Sequence, residues 1–302
     1  MDPNKWTDAT VQMFKESQEI AFERKNAYIM PIHMMEAIVE EESNIVIRIV
    51  EMMGGDVNKL KKEIKETMKM LEEAYSAGFD GIISTSHYME GYYEVNQADR
   101  KVWINGIQYA LEKKKIGLSL YLGSEIYFSE KILEFIKEGK ASTINGSKYI
   151  LFEFPLNAKP MNIEDVIYTI LSEGYIPVLA HPERYVFTQK NPELIYELAN
   201  QGVLMQSNYG SIIGQYGKKA QVIAERMLES NLVSFLGTDA HRANSIYTNI
   251  DSAANKIKSI IGKSKFDKIS HFNAMKVIKN EEIEIEEPQP IKLSFIDKMK
   301  MN

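Results

Sequence analysis

Cysteine is absent from this chain of 302 residues. Disulfide frameworks, thiolate zinc sites and thiol nucleophiles are therefore excluded, and with them the cysteine-based route to phosphate-ester hydrolysis. Histidine is scarce, at five residues. No apolar run approaches the ~18 residues of a membrane-spanning helix, and the opening Met1-Asp2-Pro3-Asn4-Lys5 has no apolar segment of the signal-peptide kind. A cytoplasmic protein is expected. Basic charge is in short supply as well: 36 Lys and Arg stand against 42 Asp and Glu, the net charge is −6, and no long basic run occurs. Binding to nucleic acid through its phosphates thus has little electrostatic support. With 44% hydrophobic and 26% charged residues and no low-complexity tract, the composition is that of a folded globular protein.

The length suits two domains, or one α/β barrel with an appendage. Residues 1–64 carry helical signals only. Thr7 can cap a first helix, Pro31 opens a second, Ser43 or Asn44 precedes a third that stops at Gly54-Gly55, and Asp56 caps a fourth. Val11, Phe14, Ile20 and Ala21, then Met34, Met35, Ile38 and Val39, recur at helical spacing and give each helix one apolar face. A small all-α bundle is expected there. Beyond about residue 68 the pattern becomes an amphipathic helix, a glycine or asparagine stop, a short apolar run, then polar residues. The runs at 81–85, 118–122, 149–154, 176–180, 203–205 and 232–236 predict strands of a parallel sheet buried on both faces, in a barrel rather than an open sheet. Residues 65–285 form this second domain, and 286–302 read as a solvated tail.

The polar residues at the ends of the runs carry the chemistry. The run ending in Ser84-Thr85-Ser86 leads to His87, Gly123-Ser124 leads to Glu125, Leu179-Ala180 leads to His181, and Gly237-Thr238 leads to Asp239 and His241. Three of the five histidines thus stand at strand carboxyl ends, which in an α/β barrel share the rim where active sites are built. Imidazole and carboxylate donors without thiolate suit Mn²⁺, Fe or Zn²⁺, and several of them on one rim suit a centre of more than one ion. In an extended segment Asp239 and His241, two apart, would point the same way, and with His181 they form the group best placed to keep a metal. Arg184 offers a forked donor for a phosphate or carboxylate. Tyr88, Tyr92 and Tyr93 either line an entrance for a planar substrate or pack on their own loop. His33 and His271 sit in helical contexts and are read as ordinary surface or core histidines.

Thr85-Ser86-His87-Tyr88, Gly123-Ser124-Glu125-Ile126, Ala180-His181-Pro182-Glu183-Arg184, Gly237-Thr238-Asp239-Ala240-His241 and the loop Gly214-Gln215-Tyr216-Gly217-Lys218-Lys219 resemble, in order and spacing, the capsule-type bacterial tyrosine phosphatases of the polymerase-and-histidinol-phosphatase (PHP) superfamily. The likeness runs from about residue 68 to 285. It implies a distorted (β/α)₇ barrel, a cluster of up to three metal ions, usually manganese, and hydrolysis of phosphotyrosine on a capsule-synthesis tyrosine kinase, often by a homo-oligomer. By the match His87, Glu125, His181, Asp239 and His241 are metal ligands, Asp239 and Arg184 are catalytic, and Arg184 with Arg242 contacts the phosphate. The family's opening strand, with its His-x-His and following Asp loop, has no counterpart: no His-x-His occurs anywhere in this sequence. The expected fold is therefore a barrel missing its first strand, with an under-populated metal site. Residues 1–64 instead resemble the first repeat of the N-terminal domain of Clp-type disaggregases, through Met1 to Thr7, Pro31-Ile32-His33-Met34-Met35-Glu36-Ala37 and Gly54-Gly55-Asp56-Val57. That resemblance implies binding of unfolded protein segments, and supports a rival reading in which a Clp-like binding module sits on an inactive barrel scaffold. A third reading, hydrolysis of a small phosphate ester such as histidinol phosphate, fits the motif spacing less well.

Overall fold

Each apolar run between a glycine or asparagine stop and a polar cluster becomes a strand in the computed structural model, which describes residues 57–301 together with Lys15, Ser17, Gln18, Glu19 and Phe22. The helical bundle expected over 1–64, and His33 within it, lie almost wholly outside the described residues. The strands are β1 (Gly81–Tyr88), β2 (Ser119–Tyr127), β3 (Tyr149–Glu153), β4 (Ile176–Ala180), β5 (Leu204–Asn208) and β6 (Val233–Gly237), joined in one sheet in sequence order. Pairing from β2 through β6 is parallel throughout, and the sheet curls as a half-barrel. This agrees with the expected α/β class.

The chain divides into two units, residues 1–81 with 99–120, and residues 82–98 with 121–302. In the first, helix α1 (Val57–Ser76) buries Met68, Leu71 and Ala74 at three-residue spacing, and α2 (Gln97–Lys113) buries Leu111. In the second, the helices after α3 (Ile132–Lys137) are α4 (Ile163–Ser172), α5 (Val186–Lys190), α6 (Glu193–Asn200), α7 (Tyr209–Ile212), α8 (Lys218–Glu229), α9 (Ile250–Ile261), α10 (Lys263–Asp267), α11 (Asn273–Ile278) and α12 (Phe295–Met301). Tyr149, Leu151, Val178, Ala180 and Leu204 form a core on one face of the sheet with Val277, while Ile150, Phe152, Leu179 and Met205 are buried on the other. Burial on both faces explains why these strands are continuous apolar runs rather than alternating ones. The chain leaves α4 and α6 through Gly174 (φ 82°) and Gly202 (φ 95°), in the left-handed region where a Cβ would be strained. These turns feed directly into β4 and β5.

The tail reading of 286–302 is corrected. Gln289 N–H donates to the Ser230 carbonyl at 2.8 Å, and α12 begins with a reciprocal cap in which Ser294 N–H and Oγ reach Asp297 Oδ2 at 2.9 and 2.7 Å. Asp297 N–H returns a bond to Ser294 Oγ at 3.1 Å. Arg226 on α8 pairs with Asp297 Oδ2 at 3.3 Å, and Asp297 and Met301 are buried. Among the described residues no helix is long and apolar enough to cross a membrane.

Candidate metal centre

Parallel strands in sequence order bring their carboxyl ends to one edge, and each strand here sets a polar residue there. β1 contributes His87, β2 Glu125, β3 Glu153 and β5 Asn208, while His181 and Asp239 come just after β4 and β6. The ligating atoms of His87, Glu125 and Glu153 all lie within 4.8 Å of one another. His181 completes the group, with Nε2 2.9 Å from Glu125 Oε1 and 3.7 Å from Glu153 Oε2. His87 Nδ1 is 3.1 Å from Glu153 Oε1, but out of line for a hydrogen bond.

Two carboxylates held this close, with Glu125 and His181 buried, repel unless a proton or cation sits among them. Interaction with Glu153 raises the His87 pKa despite the opposing effect of burial. Burial lowers that of His181, but the hydrogen bond and charge of Glu125 outweigh it and the net shift is upward. Nδ1 of His87 and Nδ1 of His181 are both buried without a hydrogen-bond partner. A mixed nitrogen and oxygen donor set, two negative charges and unspent imidazole nitrogens fit a divalent cation such as Mn²⁺, Fe²⁺ or Zn²⁺.

Beside this group is a second one built on Asp239. Its Oδ2 accepts from Arg184 Nη1 at 2.6 Å, Asn208 Nδ2 at 2.9 Å and Tyr216 OH at 3.3 Å. The Arg184 guanidinium lies over the Tyr216 ring, 4.2 Å from its centroid. Burial, with the Asp239 charge, pushes the Tyr216 phenol up to about 12, so its proton stays in place to donate. Asn208 is fixed from behind: its N–H donates to Glu183 Oε1 at 2.9 Å, which also accepts from Ser211 Oγ at 2.6 Å. His241 is exposed and joins the two groups, with its ring 5.6 Å from that of His87 and the two Nε2 atoms 3.4 Å apart. His181 (φ 35°) and Asp239 (φ 49°) both adopt the left-handed conformation, which costs a residue with a Cβ on the order of 1 kcal/mol or more and gathers at functional sites.

The structure brings together His87, Glu125, His181, Arg184, Asp239 and His241. It groups them differently from the expectation raised by the sequence, because His181 belongs with Glu125 rather than with Asp239. Asp239 and His241 do not meet through strand alternation either, since β6 ends at Gly237 and Asp239 turns left-handed. His241 Nδ1 instead faces the Asp239 carbonyl at 3.0 Å. Arg242 is exposed and enters the described structure through its carbonyl, which accepts from Ser245 Oγ at 2.7 Å. His271 packs edge-on against Phe272 in the helical turn before α11.

Sequence reasoning misses Glu153 and Asn208, and it quotes Glu183 and Tyr216 within motifs without giving either a role. Glu153 has a signal, as the one charged residue of the run 149–154. Asn208 escapes because the apolar run ends at 205, three residues before the strand does.

The model of the family "Capsular polysaccharide synthesis, CpsB/CapC" matches residues 55–279, and that of the Clp repeat N-terminal domain matches residues 5–90. The chain is 36% identical over 186 residues to the putative tyrosine-protein phosphatase CapC of Staphylococcus aureus, covering 62% of this chain and 73% of that one. To the tyrosine-protein phosphatase YwqE of Bacillus subtilis it is 30% identical over 227 residues, 75% of this chain and 89% of that one. The fold resembles a solved structure from work on YwqE and on CpsB of Streptococcus pneumoniae, described as unique metal-dependent tyrosine phosphatases. The TM-score is 0.72 at 30% identity, over 76% of this chain and 93% of that chain.

Proposed function

The chain belongs to the CpsB/CapC family of capsular polysaccharide synthesis proteins, and on that premise we propose that it is a metal-dependent phosphatase acting on phosphotyrosine in proteins. A capsule-synthesis tyrosine kinase is the substrate in this reading. Such a kinase consumes nucleoside triphosphate, which sets the reaction in the cytoplasm. The observation that carries the proposal is the grouping of His87, Glu125 and Glu153, with His181 against Glu125, as donors that can hold a cation in a chain without His-x-His.

In the proposed site these four residues hold the metal, with manganese the first candidate, and His241 and Asp239 border it. Bound there, a divalent cation would supply Lewis acidity for water activation and for the charge on the phosphoryl oxygens. Arg184 adds a forked donor to those oxygens, and its position is fixed by Asp239 on one side and the Tyr216 ring on the other. Tyr216 and Asn208 keep Asp239 from turning away, and Glu183 keeps Asn208 in register. With the family's first-strand ligands lacking, one ion or at most two is proposed.

Residues 65–285 form the phosphatase domain in this reading, residues 1–64 form a Clp-like module that binds unfolded protein, and the whole assembles as a homo-oligomer. The match over residues 5–90 supports the second element. Release of inorganic phosphate from a phosphotyrosine peptide, measured with added Mn²⁺ and with chelator, tests the central reading. Metal-dependent turnover is expected. Failure to turn over at any metal concentration, with metal bound, favours the inactive-scaffold reading.

A further inference from the structure

The three tyrosines that come after His87 have different fates. Tyr88 is 2% exposed and packs on Phe135, with ring centroids 5.0 Å apart, so it anchors the end of β1. Tyr92 is 77% exposed. Tyr93 is 60% exposed, yet its ring stands 6.1 Å from that of His87, tilted by 39°. It is thus an accessible phenol ring next to a donor of the metal group.

Tyr93 is also held in place by its backbone. Residues 89–93 form a closed turn in which Tyr93 N–H donates to the Met89 carbonyl at 2.8 Å and Met89 N–H donates back to the Tyr93 carbonyl at 3.2 Å. Gly91 takes φ 81° at the tip, and its N–H donates to Glu94 Oε1 at 2.6 Å. Lys131 ties the neighbouring Glu90 down at 3.0 Å. A large ring exposed to water at a fixed distance from the site gains by covering another apolar ring. In the phosphatase reading the phosphate oxygens meet the His87 group and Arg184, which leaves the ester substituent as the part of a monoester that can meet the exposed Tyr93 ring beside His87.

We propose that Tyr93 sets the preference of this site for aryl over alkyl phosphate monoesters, its ring lying against the phenyl ring of the substrate. This deepens the phosphatase reading and rests on it. Offset or tilted aromatic pairs contribute enough to shift an affinity by about three- to tenfold, and a phosphorylated serine or threonine offers no ring to cover.

The test uses the full chain loaded with Mn²⁺ and compares phenyl phosphate with propyl phosphate as substrates, and phenylphosphonate with propylphosphonate as non-hydrolysed ligands measured by calorimetry. Tyr93→Ala is expected to raise KM for phenyl phosphate and weaken phenylphosphonate by about three- to tenfold, with kcat and both propyl values little changed. Tyr93→Phe, which keeps the ring, is expected to behave as the unaltered protein, and so is Tyr92→Ala. Equal weakening of the aryl and alkyl ligands by Tyr93→Ala, no effect on either, or a Tyr93→Phe defect as large as that of Tyr93→Ala would each overturn the proposal. The phosphonate measurement decides the matter even in a protein without turnover. Absent hydrolysis of both esters with selective phenylphosphonate binding intact sinks the phosphatase reading and leaves the ring contact standing.

Discussion

Two carboxylates and two imidazoles gathered at strand ends, with buried nitrogens left unpartnered, form a site whose parts have separable roles. Glu153→Gln keeps the shape of the side chain and removes one of the two charges in the His87 group. Mn²⁺ affinity is expected to fall by more than ~10-fold, since even outer partners of metal ligands are worth that much, and calorimetric titration checks it. Arg184→Ala acts on the other side of the site. Bound metal should persist while kcat/KM drops about 10²-fold, the scale for one lost donor to transition-state charge. Asp239→Asn removes the charge that holds Arg184 and should lower turnover at least as far, read from the same steady-state kinetics. At this scale the sequence is partly legible. His87, Glu125, His181 and Asp239 each end an apolar run, whereas Glu153 is hidden inside a run because Phe154 continues it. Asn208 and Tyr216 bind no cation in this account. They act only through Asp239, so spacing alone gives neither of them a role, even though Tyr216 stands in one of the quoted motifs.

Elements are easier to read than residues. Six apolar runs become six strands, since burial on both faces of a parallel sheet makes each strand a short unbroken apolar stretch, and the stops at Gly174, Gly202 and Asn231 all take positive φ. The end of the chain reads wrongly. The glutamates and prolines of 281–290 suggest a solvated tail, but Ser294 and Asp297 stand three apart and form a capping box that opens α12. Burial alone would raise the Asp297 pKa, yet the Ser294 hydroxyl and N–H, with the Arg226 charge, outweigh it and the value is lowered. A depressed carboxyl pKa stabilises the folded form above the ordinary value of 3.8 and stops doing so as pH falls through the lowered one. Undocking of α12 is therefore expected only in strong acid, below about pH 4. Ser294→Ala should cost the helix about 1 kcal/mol. Hydrogen exchange is expected to quicken at the α12 amides while phosphate release stays unchanged; equal exchange in both proteins would contradict this assignment.

For the molecule as a whole, the notable fact is a match to the CpsB/CapC family in a chain that holds no His-x-His. The match begins at residue 55, and the Clp repeat match covers residues 5–90. Sequence legibility is highest here, because the order of motifs along the chain is read without any knowledge of side-chain contacts. β1 has β2 as its sheet neighbour on one side and, among the described residues, no strand on the other. An open strand edge invites pairing with another chain, so concentration-dependent association is expected in light scattering. A monomer across the concentration range would count against it. The claim on which the rest depends is that four donors from β1 to β4 and the residue after it suffice for a cation. Titration of the metal-free protein with Mn²⁺ by calorimetry, beside the Glu125→Gln variant, tests it directly. One site, or at most two, should fill in the unaltered protein and be lost or severely weakened in the variant. No binding in the unaltered protein, or binding that Glu125→Gln leaves intact, would contradict the account.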